Sequence, residues 1–166
     1  MLPLVKGRVD VNMAIEGTPS LAFSGKTSTP VVLFDGVCGL CNRYVQFIIR
    51  RDLGSRFRFA TLQGDFGQAA LARHGYAAEG KVAPDSIVLV ENPGTSNERL
   101  RFRSDAVLFV VAGLGGAWAA LLILRIIPGA LRDLVYDGVA RVRHRVFGRT
   151  DACRLPSVEE RHRFVE

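Results

Sequence analysis

Only three cysteines occur among 166 residues, too few for the closed disulfide framework that holds small secreted domains together. Two of them, Cys38 and Cys41, lie three positions apart, so a reducing compartment is expected and the cytoplasm is the natural choice. Met1 to Pro30 has no apolar run: Lys6, Arg8 and Lys26 are scattered among Asp10 and Glu16, which fits neither a secretory signal nor a transit peptide. Its Gly, Ser, Thr and Pro content reads as a flexible leader over residues 1–29. Histidine is scarce as well. His74, His144 and His162, with Cys153, form no second C-x-x-C or H-x-x-x-H unit, so a zinc site built on Cys38 and Cys41 lacks its other half.

Aromatic residues make up 8% of the chain. The densest basic cluster, Arg141, Arg143, Arg145 and Arg149 around His144, is not interleaved with the stacking rings that a single-strand nucleic-acid binder uses. Despite a net charge of +6, the cluster reads as a solvated helix face and no nucleic-acid partner is expected. An unbroken hydrophobic run is missing too. Ala106 to Leu124 carries no charge and reaches the ~18 residues that suit a membrane span. Gly113, Gly115 and Gly116 interrupt it, however, and Ser104 and Asp105 make a helix N-cap before it. It reads as two short buried helices joined by a turn. No span is expected, although peripheral association with a membrane stays open.

What the chain does have is 48% apolar and 23% charged residues, ordinary for a globular protein long enough to bury one core. Val31 to Phe34 is an apolar, β-branched run suited to a strand buried on both faces. It ends at Asp35-Gly36. From Gly39 to Arg51 the residues Leu40, Tyr44, Val45, Phe47, Ile48 and Ile49 follow a helical pattern, with arginines at its C-terminal end where the helix dipole favours cations. Arg56 to Ala60 alternates as a second strand, and Gln68 to His74 reads as a helix closed by Gly75. Ser86 to Val90 is a third strand, and Glu98 to Arg103 a fourth that pairs back as a hairpin.

The order β-α-β-α-β-β-α, with a dithiol after the first strand, is the arrangement of a thioredoxin-like α/β three-layer sandwich with a four-stranded mixed sheet. The expected organisation is a core over residues 30–116, a C-terminal helical extension packed on it over 117–156, and a tail over 157–166. In the extension, Ala117 to Ile127 and Leu131 to Phe147 are read as helices separated by Pro128-Gly129.

At the strand-to-helix turn, the sulfur of Cys38 meets the unpaired amides of the helix's first turn, whose partial positive charge stabilises a thiolate. Cys38 is the expected nucleophile. Cys41, one turn on, is placed to attack a mixed disulfide and release the substrate. Asp35 either forms the turn or accepts the Cys41 proton. Gly39 and Leu40 lie between the sulfurs and are expected to meet the substrate; neither brings a charge that would fix the redox direction. The implied activity is thiol-disulfide exchange with a disulfide-containing protein or a small thiol, reset by a redox-recycling partner, with no bound cofactor required. A non-catalytic zinc-binding or protein-interaction module using the same cysteines is the alternative.

The run Phe34-Asp35-Gly36-Val37-Cys38-Gly39-Leu40-Cys41-Asn42 closely resembles the DCC family of thiol-disulfide oxidoreductases, named for its Asp-x-x-Cys-x-x-Cys motif. Arg51-Asp52, Leu62-Gln63, Asp85 to Val90, Arg103 to Ala106, Arg132-Asp133 with Tyr136, and Phe147-Gly148 through Cys153 with Pro156 resemble the family's further landmarks. The likeness covers roughly residues 30 to 156. It departs at Gly64, where serine is usual, and at Val142, His144 and Val146, where the family carries Asn, Tyr and Trp. The resemblance implies a thioredoxin-like fold with extra C-terminal helices and a site defined by Asp35, Cys38 and Cys41. Asp85 and Ser86, placed before the third strand, are expected to line that site or to form a polar turn. Cys153 is either a third redox thiol or a packed core atom.

Overall fold

The computed structural model describes residues 29–76, 87–148 and 160–165. Its centre is strand β1 (Val31–Phe34), in which all four residues are buried. A continuous run of β-branched and large apolar side chains with no polar member suits a strand covered on both faces. On one side β1 pairs in parallel with β2 (Arg58–Thr61), and on the other antiparallel with β3 (Val88–Glu91). Strand β4 (Arg99–Phe102) pairs antiparallel with β3, giving a four-stranded mixed sheet in the order β2-β1-β3-β4.

The period-two geometry of β1 divides the core. Val32 and Phe34 join Phe59 and Leu89 on one face, under Val45 and Ile48 of helix α1 (Gly39–Arg51) and Ala106 and Val110 of helix α3 (Arg103–Leu114). Val31 and Leu33 join Ala60, Val88 and Val90 on the other face, against Phe66, Ala70 and Leu71 of helix α2 (Asp65–Arg73). Each such buried Val, Leu, Ile or Phe side chain contributes roughly 1.5–3 kcal/mol relative to exposure. Three layers, α1 and α3, the sheet, then α2, make the fold α/β and thioredoxin-like. Helix α2 approaches β2 closely because position 67 is glycine: a Cβ there would lie 2.2 Å from the Thr61 carbonyl oxygen.

After α3 the chain forms a 3-10 helix, Gly116–Ile126, and then α4 (Gly129–Phe147). Glycines 115 and 116 both have positive φ, 69° and 58°, so the break falls where the charge-free run was expected to turn. The expectation of two buried helices holds only for the first. The 3-10 helix has no buried residue, and Ile123 and Ile126 are 67% and 81% exposed. The expected cap also differs. Phe102 is the N-cap of α3 and makes no side-chain cap bond, whereas the Ser104 hydroxyl donates to Asp133 Oδ1 on α4. Among the described residues no helix is long and apolar enough to cross a membrane.

The last described residues close the β2 edge. Phe164 forms a parallel bridge with Phe59, and the Val165 amide donates to the Phe59 carbonyl at 2.8 Å. Arg163 is buried, donating to Asp52 Oδ2 and to the carbonyls of Phe57 and Ile49. Nothing in the composition of this stretch distinguished it from a solvated tail.

Candidate active site

The turn between β1 and α1 is held by its own polar groups. The Asp35 carbonyl accepts the Cys38 amide at 3.2 Å, and Asp35 Oδ1 accepts the Val37 amide at 3.1 Å. Gln63, just beyond β2, donates from Nε2 to the same Oδ1 at 3.0 Å and accepts the Gly36 amide on Oε1 at 3.4 Å. Asn42 Nδ2 returns from α1 to the Gly36 carbonyl at 3.0 Å. Asp35 is 5% exposed, so its carboxylate needs these donors.

Cys38 is the N-cap of α1, with φ −89° and ψ 117°. Its sulfur takes the place that a serine or aspartate oxygen usually fills, accepting the Cys41 amide at 3.4 Å. Cys41 sits one helical turn further on. Both are free thiols and both are buried, Cys38 wholly and Cys41 to 4% exposure. Burial, the hydrogen bond with Cys38 and the nearby Cys38 charge push the Cys41 thiol up to about 12, against smaller opposing effects of Arg143 and an Asp35 backbone hydrogen bond. At neutral pH Cys41 is therefore protonated, and the two sulfurs differ in place: Cys38 caps the helix and Cys41 lies within its first turn.

The cover over the pair comes from α4. The Gly39 amide donates to the Gly148 carbonyl at 3.3 Å, and a Cβ at position 39 would lie 2.3 Å from the Phe147 carbonyl oxygen. Gly39, expected to meet substrate, thus meets the end of α4. Leu40 lines a void of 160 Å³ together with Cys41, Tyr44, Tyr136 and Arg143. Burial also pushes the Tyr44 phenol well above its ordinary value, reinforced by Tyr136. Tyr136 anchors α4 by accepting the Ile87 amide at 3.1 Å on its hydroxyl.

Arg143 corrects the reading of the basic cluster as a solvated face. Arg141 and Arg145 are exposed, but Arg143 is 2% exposed, with Nη2 at 3.8 Å from Asp35 Oδ2 and Nε donating to His144 Nε2 at 3.3 Å. The missed signal is its spacing. Tyr136, Ala140, Arg143 and Phe147 recur every three or four residues, so they share one face of α4. Gln63 was likewise named only as a landmark, and its contact with Asp35 depends on where β2 ends.

Asp85, Ser86 and Cys153 lie outside the described residues. His74 is bound to Glu98, 3.0 Å from Nε2 to Oε1, and among the described residues no group of three His, Cys, Asp or Glu side chains is placed to hold a metal ion.

Residues 32–149 match the family described as DCC1-like thiol-disulfide oxidoreductase. The uncharacterized protein YuxK of Bacillus subtilis (strain 168) is 36% identical over 135 residues, covering 81% of this chain and 93% of that protein. A DCC family protein of Arabidopsis thaliana, named as chloroplastic, is 37% identical over 138 residues, covering 81% of this chain and 74% of its own. No solved structure matches. With the Asp-x-x-Cys-x-x-Cys turn at the head of α1 and a match that spans most of its length, the chain belongs to the DCC1-like thiol-disulfide oxidoreductase family.

Proposed function

We propose that the chain catalyses thiol-disulfide exchange through Cys38 and Cys41. With the end of α4 drawn back from Gly39, Cys38, as thiolate, attacks one sulfur of a substrate disulfide, forming a mixed disulfide and releasing the first substrate thiol. Cys41 then gives up its proton, with Asp35 as acceptor, and its sulfur attacks Cys38. A Cys38–Cys41 disulfide closes and the second substrate thiol leaves. A recycling partner of opposite redox state returns the pair to its starting form.

The observation that carries this reading is the inequality of the two sulfurs. Cys38 caps a helix and accepts its amide, while Cys41 is held protonated one turn away. That division suits an attacking and a resolving thiol. Asp85 and Ser86 remain proposed substrate contacts on the strength of their place in the chain.

The test is to equilibrate the protein with glutathione buffers of graded potential and to count thiols by mass. A two-electron transition that vanishes in Cys38→Ser and in Cys41→Ser supports exchange. A pair that stays reduced across every buffer sinks it. The midpoint assigns the direction, since about 30 mV corresponds to about 1.4 kcal/mol.

A further inference from the structure

Arg143 is a buried cation that neither bonds to sulfur nor moves a proton in the exchange steps. It meets Asp35 and Cys41 where α4 crosses the turn, and all three are buried. Arg143 Nη2 lies 3.8 Å from Asp35 Oδ2, and its Nε is tied to His144 Nε2 at 3.3 Å, which orients the guanidinium. The Cys41 sulfur shares a backbone hydrogen bond with Asp35, and Cys41 and Arg143 line the same void. Phe147 and Gly148, which cover Gly39, lie a helical turn beyond Arg143, so the end of α4 can draw back while Arg143 keeps its place.

Transfer of the Cys41 proton to Asp35 turns a carboxylate and a thiol into a carboxylic acid and a thiolate. With the guanidinium counted, the group of three is neutral before and after. Without it, the same transfer takes place around an uncompensated buried negative charge, which is costly. An arginine stays charged throughout, so it can serve whichever partner is the anion. Cys38 and Tyr44 face Cys41 from its own helix and Tyr136 faces it from α4, while Ile87 before β3 and Val107 of α3 are apolar. Among the described residues that line the void, Arg143 alone carries a fixed charge. Its effect on the Cys41 thiol opposes that of burial.

We propose that Arg143 is a positioning residue for the resolving step: its charge holds Asp35 as proton acceptor and then balances the thiolate that forms on Cys41. The electron pair of the Cys41 S–H bond makes the bond to Cys38 and the bond from Cys38 to the substrate sulfur breaks. The leaving thiolate takes the proton back from Asp35. This role rests on the exchange reading and adds a cation to it.

The test mixes the reduced full chain with an aromatic disulfide and follows two releases of aromatic thiol between about pH 6 and about pH 9. The first release reports attack by Cys38 and the second reports resolution by Cys41, with the internal disulfide checked by mass. An opposite charge this close moves an acidic group by about one to three units. Arg143→Gln therefore slows the second release about tenfold or more at each pH and leaves the first within about threefold, and Arg143→Lys restores the second to within about threefold. Thermal melts establish that each variant is folded. If Arg143→Gln does not fold, Asp35→Asn/Arg143→Gln, which leaves no charge of this pair unmatched, is compared with Asp35→Asn/Arg143→Lys, and the first is again about tenfold slower in the second release. A second release at the wild-type rate in Arg143→Gln, equal slowing of both releases, equally slow Lys and Gln variants, or equal rates in the two double variants overturns the proposal and leaves the exchange reading standing. A wild-type chain that forms no internal disulfide overturns both.

Discussion

Arg143 Nη2 lies 3.8 Å from Asp35 Oδ2, and both side chains are buried where α4 crosses the turn that carries the dithiol. An ion pair out of water is costly to break from one side, because the remaining charge loses its compensation. Arg143→Met is expected to lower stability by about 3 kcal/mol in urea unfolding. Combining it with Asp35→Asn should recover a large part of that loss. A double variant as unstable as the sum of its parts would show that the two do not interact.

The unequal sulfurs predict unequal traps. Mixed with an aromatic disulfide, Cys41→Ser should accumulate a stable adduct on Cys38, seen as a mass increase of one thiol. Cys38→Ser should form such an adduct at least tenfold more slowly at pH 7, because the burial that chiefly raises the Cys41 thiol persists without Cys38. Equal rates would remove the distinction on which the exchange reading depends.

Stability should respond to alkali. The Cys41 thiol is raised from an ordinary 9.0 to about 12 in the folded chain, so the unfolded chain loses this proton first. Unfolding therefore becomes easier as pH rises from about 9 toward about 12, and the contribution is fully present below that window. Cys41→Ala should flatten this limb of the profile, measured as urea midpoint against pH. An unchanged slope would contradict the burial-driven shift.

Gly39→Ala places a methyl against the Phe147 carbonyl. Something must move, and overpacking of this kind costs about 1–3 kcal/mol. If the end of α4 is what gives way, alkylation of Cys38 should quicken several-fold. A destabilised variant with unchanged Cys38 reactivity would assign the cover to another segment.

The buried pair of Arg163 and Asp52 joins the end of the chain to the end of α1. Arg163→Met should cost about 3 kcal/mol in urea unfolding. A cost near zero would mean that residues 160–165 are not held as described.

Much of this architecture was legible from the residues because local signals were strong. Val31 to Phe34, with no polar member, announced a central strand. Asp35-Gly36 announced a turn, and arginines 50 and 51 a helix end. The thioredoxin-like order followed from those elements and their spacing. The polar scaffold around the dithiol was not legible in the same way. Gln63 reaches Asp35, and Arg143 reaches it from the opposite end of the chain, only because the sheet and α4 bring them there. Arg143 stood among arginines that are exposed, and composition does not tell one member of a basic cluster from its neighbours. Ser104 looked like a cap, but a tertiary partner, Asp133, took its hydroxyl instead.

The junction of Gly39 with Gly148 has a consequence during synthesis. Cys38 and Cys41 emerge from the ribosome long before α4, and until that helix docks they stand bare at the head of α1. A nascent chain therefore passes through a stage in which these two sulfurs are open to any passing thiol reagent, and the docking of α4 on Gly39 is what brings that stage to a close.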